Sequence, residues 1–321
     1  MNRVSEVKRQ SPNTLFSHIK YEHFIAGISG GVCSTLVLHP LDLLKIRFAV
    51  DDGQLKTRPN YRSLGNAVST IIRDEGIRGL YKGVTPNCWG AGASWGLFFL
   101  FYEPIKSYMA YSSDSKITLG PGSHMLAAAL AGITTTFITN PIWVVKTRMC
   151  IQYQPSFSAS SLPPSKHYNG MLDALTKIYR HEGIFGMYKG FVPGIFGVSH
   201  GALHFMAYEE LKKMCNKFYH RPSDHKLTTV QYMLFSSLSK LFAASLTYPY
   251  QVLRVRLQDQ HKEYVGVIEV VKRIWKFEGI KGYYKGIVPN LLRVTPATAI
   301  TFVVYETMSD FLLKLTKTIP Q

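Results

Sequence analysis

Six apolar stretches, separated by polar and strongly basic connections, follow one another along the chain. Each is about as long as the roughly 20 residues that a helix needs to cross a bilayer. Glycine, serine, threonine and histidine interrupt them, which is typical of helices that turn one face to lipid and another to water or to a neighbouring helix. The pattern predicts six membrane-spanning helices near residues 24–44, 84–102, 123–145, 192–211, 229–248 and 287–313.

A 26-residue segment occurs three times in the connections and aligns without gaps. Each copy contains Glu-Gly and then Tyr-Lys-Gly, and its first half has apolar residues at helical spacing, such as Met171, Leu172, Leu175 and Ile178. This spacing predicts a short amphipathic helix at the membrane surface. The copies are YRSLGNAVSTIIRDEGIRGLYKGVTP from Tyr61, YNGMLDALTKIYRHEGIFGMYKGFVP from Tyr168 and YVGVIEVVKRIWKFEGIKGYYKGIVP from Tyr264.

An octapeptide precedes each copy and has a proline first, a base sixth and an arginine eighth. It reads PLDLLKIR from Pro40, PIWVVKTR from Pro141 and PYQVLRVR from Pro249. Together the two motifs define three repeats of related sequence. We therefore divide the chain into a polar N-terminal segment and three repeats, at residues 1–20, 21–112, 113–220 and 221–315.

The formal net charge of +17 raises the possibility of a nucleic-acid-binding protein. The lysines and arginines lie mainly at the ends of the apolar stretches and in the connections, however, as expected where basic loops face an anionic leaflet. No zinc-finger or RNP-type pattern accompanies them, so we expect no nucleic-acid partner. The four cysteines form no CxxC pair, which argues against disulfides and metal clusters, and residues 1–20 lack the apolar core of a secretory signal.

The three octapeptides, each followed by Glu-Gly, resemble the signature of the mitochondrial carrier family, over about residues 20–315. The resemblance implies an all-α membrane protein with six transmembrane helices in three pseudo-threefold repeats, each with a short matrix-side surface helix. It also implies a multi-pass monomer in the mitochondrial inner membrane, surrounded by lipid that includes cardiolipin. Its activity would be transport rather than catalysis, through a central water-filled site that opens alternately to each side.

In this family the octapeptide prolines kink the odd-numbered helices, and side chains two and five positions later close the matrix side by salt bridges. The equivalent matrix gate here would consist of Asp42, Lys45, Lys146, Gln251 and Arg254, with kinks at Pro40, Pro141 and Pro249. Only one acid remains, because Trp143 and Gln251 stand where carboxylates would be expected. The family's cytoplasmic gate would use Glu103 with Lys106 and Glu209 with Lys212, whereas Ser309 replaces the base of the third copy.

The gate leaves surplus positive charge at the base of the cavity, which predicts an anionic substrate. Lys240 lies eleven residues before Gln251, on nearly the same helical face and about 16 Å further along the helix, so it is a second candidate cation. The resemblance adds Arg293 in the sixth span as a substrate contact. The remaining predicted substrate-binding residues are Trp143, Trp89, Gly90, Phe196 and Gly197.

A tryptophan in the second octapeptide resembles the signatures of carriers for flavin, folate, NAD and pyrimidine nucleotides. Further stretches such as WGAGASWGLFFLFYE are similar to the members that carry folate and FAD. The substrate expected from this resemblance is FAD and/or folate (tetrahydrofolate), a planar ring with an anionic tail, and the alternative is NAD or a pyrimidine nucleotide. We expect no resident cofactor and no metal, and interpret His200 and His204 as polar wall or packing residues.

Overall fold

The computed structural model describes residues 21–54, 59, 61, 63–112, 121–153, 167–220, 222, 227–262 and 264–318. The N-terminal segment predicted at residues 1–20 lies outside the described residues. All ten α-helices below belong to the described part of the chain, which contains no strand. They are α1 (Tyr21–Val50), α2 (Leu64–Glu75), α3 (Val84–Ser112), α4 (Pro121–Cys150), α5 (Met171–Met187), α6 (Phe191–Phe196), α7 (Ser199–Phe218), α8 (Thr229–Gln258), α9 (Val267–Glu278) and α10 (Ile287–Thr318).

Five of these helices, α1, α3, α4, α8 and α10, contain 29 to 32 residues each. Helices α6 and α7 together form a sixth long segment, interrupted at Gly197 and Val198. Two described stretches are long and apolar enough to cross a membrane by length and composition, Gly122–Cys150 and Val267–Leu312, and the second also includes α9. The all-helical expectation is confirmed, whereas the count of six membrane spans stays a prediction.

The octapeptide prolines lie inside continuous helices of 30 residues, although proline removes one backbone hydrogen bond. The side chain just before each proline bonds to a backbone carbonyl in the turn that follows the Glu-Gly motif of the same repeat. These bonds fasten the middle of α1, α4 and α8 to those turns. They join His39 Nε2 to Lys82 O at 3.0 Å, Asn140 Nδ2 to Met187 O at 2.8 Å, and Tyr248 Oη to Lys285 O at 3.0 Å.

The repeated 26-residue segment folds as predicted, into α2, α5 and α9 followed by a tight turn. In α2 the side chain of Ser63 caps the first turn by accepting from Asn66 N. The apolar face of each helix is buried, at Ala67 and Ile71 in α2 and at the matching positions of α5 and α9. The glycine of each Glu-Gly motif takes a positive φ of 63° to 71°, which a side chain would strain, so the motif ends α2 and α9 and kinks α5 at Gly183.

The buried core concentrates where α1 and α8 meet α2 and α9, around Leu43, Ile71, Tyr248 and Ile274. Further along the long helices, by contrast, large apolar side chains are exposed. More than half of the surface of Val37, Phe137, Leu238 and Phe242 is accessible. Exposed apolar surface of this extent is typical of a protein surface that faces lipid.

The chain divides into two compact units by its internal contacts. Among the described residues, the first comprises residues 21–34 and 298–318, and within it α1 and α10 approach closely, since a Cβ on Gly30 would lie 2.8 Å from Thr301 O. The second unit comprises Thr35–Ala297 and contains every residue of the cavity described next.

Candidate functional site

A cavity of about 670 Å³ is enclosed by residues of α1, α3, α4, α6, α7, α8 and α10, with Gly197 and Val198 at the break between α6 and α7. Its volume lies in the range of roughly 300 to 1,000 Å³ that is usual for small-molecule sites. One end carries the charged side chains, and we call this end the floor. The floor residues are Asp42, Lys45, Lys146, Gln251, Arg254 and Arg293.

Asp42 is buried at the floor, and its carboxylate contacts two cations and one side-chain amide. Arg293 Nε lies 3.0 Å from its Oδ1 and Arg293 Nη1 donates to Oδ2 at 3.4 Å, while Lys146 Nζ lies 3.4 Å from Oδ2. The amide of Asn87 donates to the same Oδ2 at 3.2 Å. The Nε–Oδ1 contact is an ion pair by distance only, because the Nε hydrogen has no aligned acceptor among the described residues.

The other two floor cations have neutral partners. Lys45 Nζ donates to Oε1 of Gln251 at 2.6 Å, and Arg254 Nη2 donates to Oδ1 of Asn140 at 3.2 Å. Each bond joins two different long helices, so the floor is closed by hydrogen bonds as well as by the Asp42 ion pairs. A hydrogen bond with one charged partner contributes roughly 1.5–3 kcal/mol, and less where water competes.

Trp143 lines the cavity and contributes no charge to the floor. Lys146 Nζ lies 5.2 Å from the centre of the Trp143 ring, within range of a cation–π interaction. The indole also packs against buried Gly90, where an added Cβ would lie 3.4 Å from Trp143 Cζ2 and 3.2 Å from Ile142. Gly90 therefore makes room for the indole and is not among the described residues that line the cavity, and its predicted contact with the substrate stays a prediction.

The floor consequently carries one carboxylate and four cations, a formal surplus of three positive charges. The sequence predicted such a surplus from Asp42, Lys45, Lys146 and Arg254, and the structure adds Arg293. Uncompensated charge in a partly desolvated site is costly, so the floor favours an anionic ligand.

Two further predicted contacts also lie away from this cavity. Trp89 is 66% exposed and borders a separate depression with Thr85 and the start of α5. The α3 residues that do line the cavity include Asn87 and Ala91, and Trp89 lies two positions from both, about 200° around the helix. Phe196 is exposed and stacks on Tyr250, with ring centres 5.4 Å apart.

Of the remaining predicted substrate contacts, Gly197 lines the cavity and Lys240 does not. Gly197 lines the cavity, as do His200 and Thr247, which are joined by a side-chain contact of 3.2 Å. Lys240 is half-buried on α8 and does not belong to the described lining of the cavity. Its predicted contact with the substrate stays a prediction.

The predicted cytoplasmic gate is open to solvent. Glu103 and Lys106 pair at 3.5 Å, but both belong to α3 and the carboxylate is 57% exposed. On α7, Glu209 and Lys212 are half-buried, and an exposed pair forms between the neighbouring Glu210 and Lys213 at 2.8 Å. Both pairs join residues of one helix, so neither pair links two helices across the end of the cavity opposite the floor.

A second layer of charge, which the sequence reasoning missed, lies beyond the floor. The octapeptide arginine of each repeat binds the Glu-Gly glutamate of the same repeat with two hydrogen bonds, and the Tyr-Lys-Gly lysine joins the same glutamate. The occurrence of all three residues once per repeat is the signal that could have revealed the triad. The triads are Arg47–Glu75–Lys82, Arg148–Glu182–Lys189 and Arg256–Glu278–Lys285.

The same arginines tie the repeats together in a cycle. Each Nε donates to a backbone carbonyl at the end of the long helix in the next repeat, from the first to the second, the second to the third, and the third to the first. The bonds are Arg47 to Cys150 O at 3.0 Å, Arg148 to Gln258 O at 3.2 Å, and Arg256 to Ala49 O at 2.9 Å. This layer thus anchors the ends of α1, α4 and α8 to one another.

The charge of the triads depends on pH through their glutamates. Burial alone would raise the pKa of Glu182, but hydrogen bonds and charge attraction from Arg148, and then from Lys189, lower the pKa from 4.5 to about 2. The pKa values of Glu75 and Glu278 are lowered for the same reasons. The carboxylates therefore remain ionised throughout the physiological pH range.

Comparison with known proteins assigns this architecture. The family described as mitochondrial carrier protein matches residues 18–113, 118–219 and 225–316. The chain is 39% identical over 311 residues to Folate transporter 1, chloroplastic, of Arabidopsis thaliana, covering 94% of this chain and 97% of that protein. It is 37% identical over 294 residues to the Nicotinamide adenine dinucleotide transporter 1, chloroplastic, of the same plant, covering 90% and 91% of the two chains. To the Mitochondrial nicotinamide adenine dinucleotide transporter 1 of Saccharomyces cerevisiae it is 35% identical over 287 residues, covering 88% and 74%.

Proposed function

The chain belongs to the mitochondrial carrier family, and on that premise we propose that it transports FAD and/or folate across the mitochondrial inner membrane. In this proposal the six long helical segments span the membrane and the cavity holds the substrate. The observation that carries it is the floor, where one carboxylate faces four cations beside an indole.

Charge complementarity supports this substrate class. A folate has two carboxylates on its glutamate tail and FAD has a diphosphate, so either would offset most of the floor's surplus positive charge. Both also have a planar heteroaromatic ring suited to the indoles of Trp95 and Trp143, which line the cavity. The relative named as a folate transporter is consistent with the first of these substrates.

NAD is the second candidate, because two similar relatives are named as transporters of that dinucleotide. Its nicotinamide ring is positively charged and cancels part of the diphosphate charge. NAD would therefore offset less of the floor's positive charge than FAD or a folate, although its adenine ring could stack equally well on an indole.

We propose alternating access as the mechanism. The floor is closed largely by single hydrogen bonds to neutral partners, Gln251 for Lys45 and Asn140 for Arg254. An anion bound at the floor can replace these partners and compete with Asp42 for Lys146 and Arg293. Such a ligand stabilises the transition, in which the floor bonds are broken, more than the state in which the floor is closed. It thereby lowers the barrier between the conformations that open the cavity to either side of the membrane.

Reconstitution into liposomes tests the proposal. Uptake of labelled tetrahydrofolate, FAD, NAD and UTP is compared in one preparation, and we expect folate or FAD to enter fastest. Uptake of NAD alone would favour the alternative substrate, and uptake of none of the four by folded, inserted protein would contradict the assignment.

Arg293→Ala examines the floor in the same assay. We expect it to abolish uptake without preventing insertion, because it removes a floor cation that contacts Asp42. The matched control is Arg180→Ala, which removes an exposed arginine on α5 and should leave uptake unchanged. Normal uptake by Arg293→Ala would remove this residue from the substrate site.

A further inference from the structure

One threonine of the cavity wall is bonded differently from its neighbours on α4. The hydroxyls of Thr134, Thr136, Thr139 and Thr147 each donate to the carbonyl four residues earlier, which satisfies them within the helix. Thr135 is only 6% exposed and lines the cavity, yet its Oγ1 has no hydrogen-bond partner among the described residues. A buried hydroxyl without a partner is uncommon and indicates a missing ligand or water.

The unpaired hydroxyl lies well above the floor. Thr135 precedes Lys146 by eleven residues on α4, a helical rise of about 16 Å. A ligand that holds its anionic end at the floor must therefore be long to reach Thr135, as a folate or a dinucleotide is.

An aromatic surface lies at a similar height on the neighbouring helix. Helices α3 and α4 pack side by side, and Trp95 lies eight residues, about 12 Å, beyond Asn87, whose amide bonds to Asp42. The Trp95 ring is supported from behind by Phe99, with ring centres 6.0 Å apart and planes inclined by 22°. Phe98 makes an edge contact with the same ring, with ring centres 6.5 Å apart and planes inclined by 82°. Trp95 still presents accessible ring surface to a ligand, since it lines the cavity and is 65% exposed.

We infer that Trp95 and Thr135 form an upper subsite for the heteroaromatic ring of the substrate, while its anionic group, the glutamate tail of a folate or the central diphosphate of FAD, binds at the floor. The inference rests on the proposed function and gives the ligand a single orientation. Trp95 stacks on the ring. The Thr135 hydroxyl is closed to solvent in this structure, so a rotation about its χ1 angle turns it towards the ring edge, where both a pterin and an isoalloxazine present carbonyl and N–H groups. Trp143 is half-buried at the floor, where it contacts Lys146 and Gly90, so of the two indoles Trp95 presents more accessible surface to the ring.

Thr135→Val tests this orientation, because valine keeps the shape of threonine and removes only the hydroxyl. Two competitors are compared for inhibition of folate uptake: folic acid, and p-aminobenzoylglutamate, which has the anionic tail without the pterin. We expect the variant to weaken inhibition by folic acid roughly 3- to 10-fold, the size of one neutral hydrogen bond, and to leave p-aminobenzoylglutamate unaffected. FAD and inorganic pyrophosphate form an equivalent pair if FAD is the transported substrate, because pyrophosphate has the anionic group without either ring.

Thr136→Val is the matched control, since Thr136 lines the same cavity but its hydroxyl already donates to Gly132 O at 2.8 Å. We expect no change in inhibition by either competitor. Thermal unfolding in detergent provides a second readout, in which Thr135→Val should be as stable as the unmodified protein or more so, because it removes an unpaired buried hydroxyl.

Equal weakening of both competitors, no weakening of folic acid, or a lower unfolding temperature for Thr135→Val would each overturn the inference. Failure of the proposed function is a separate result, in which the unmodified protein binds neither folic acid nor FAD. Trp95→Leu should also weaken inhibition by folic acid, and by more than Thr135→Val does, while inhibition by p-aminobenzoylglutamate stays unchanged. If folic acid inhibits Trp95→Leu as strongly as it inhibits the unmodified protein, Trp95 does not stack on the ring.

Discussion

Replacement of Gln251 by glutamate would add the second acid that the floor lacks. Lys45 Nζ lies 2.6 Å from Gln251 Oε1, and a glutamate carboxylate of the same length places an anionic oxygen at that position. A bond between two ions contributes roughly 1–2 kcal/mol more than a bond to a neutral amide in a partly buried setting. The closed floor should gain this amount, because the surplus of cations offsets the cost of another buried carboxylate.

The gain in the closed state raises the barrier to opening. Since about 1.4 kcal/mol corresponds to a tenfold change in rate, transport should slow by roughly 5- to 30-fold where floor opening limits turnover. Initial rates of uptake into liposomes measure this effect. The unfolding temperature in detergent should rise by a few degrees, as expected for a stabilisation of roughly 1–2 kcal/mol in a chain of this size.

Gln231→Glu is the matched control on the same helix. Gln231 lies 20 residues, about 30 Å, from Gln251 and caps the first turn of α8 together with Thr228, a role that glutamate fills equally well. Its transport rate and unfolding temperature should stay unchanged. If Gln251→Glu transports at the unmodified rate with an unaltered unfolding temperature, the bond between Lys45 and Gln251 does not limit opening and the reasoning fails.

Three further predictions concern the layers around the floor. Trp143→Asp should place a carboxylate near Lys146, slowing uptake and stabilising the closed floor in detergent, whereas unchanged kinetics would mean that the indole only packs. The ion pairs of Glu182, whose folded pKa of about 2 lies below the unfolded value, should stabilise the fold fully above about pH 5 and lose this contribution as the pH falls towards 2. Solvent screens this half-buried carboxylate, so the contribution should be roughly 1–2 kcal/mol, and Glu182→Gln should make the unfolding temperature less dependent on pH over that range. Gly286→Ala should lower the unfolding temperature more than Gly279→Ala. Both glycines have a positive φ, but a Cβ would collide only at Gly286, where it would lie 2.6 Å from a backbone oxygen. An equal decrease of the unfolding temperature in the two variants would exclude this collision as the cause.

The helices and their repetition were readable from the sequence because both depend on local spacing. Of the apolar positions predicted to face one side of α5, Ile178 is buried and Met171 and Leu175 are partly buried, as the pattern predicts. The prediction is wrong for Leu172, which lies one position after Met171 and is 78% exposed. The Glu-Gly glycines marked the ends of α2 and α9 and the kink in α5, since their backbone takes a positive φ that other residues avoid.

The faces of the even-numbered segments could not be determined in the same way. Trp89 and Phe196 were assigned to the cavity wall from resemblance, yet both are exposed outside it. An error of two residues on a helix turns a side chain to the opposite face, and the break at Gly197 and Val198 removes a continuous register for α6 and α7. Only the packing of the neighbouring helices decides which face looks inward.

The sequence by itself determined the family, the three repeats and the imbalance of one acid against several bases, because each is a property of residue types and their spacing. The tertiary structure alone decided which groups meet. Asp42 pairs with Arg293, 251 positions away, Lys45 meets Gln251, 206 positions away, and the hydroxyl of Thr135 is left without a partner. Such contacts depend on how distant helices pack, and spacing along one helix carries no information about its neighbour.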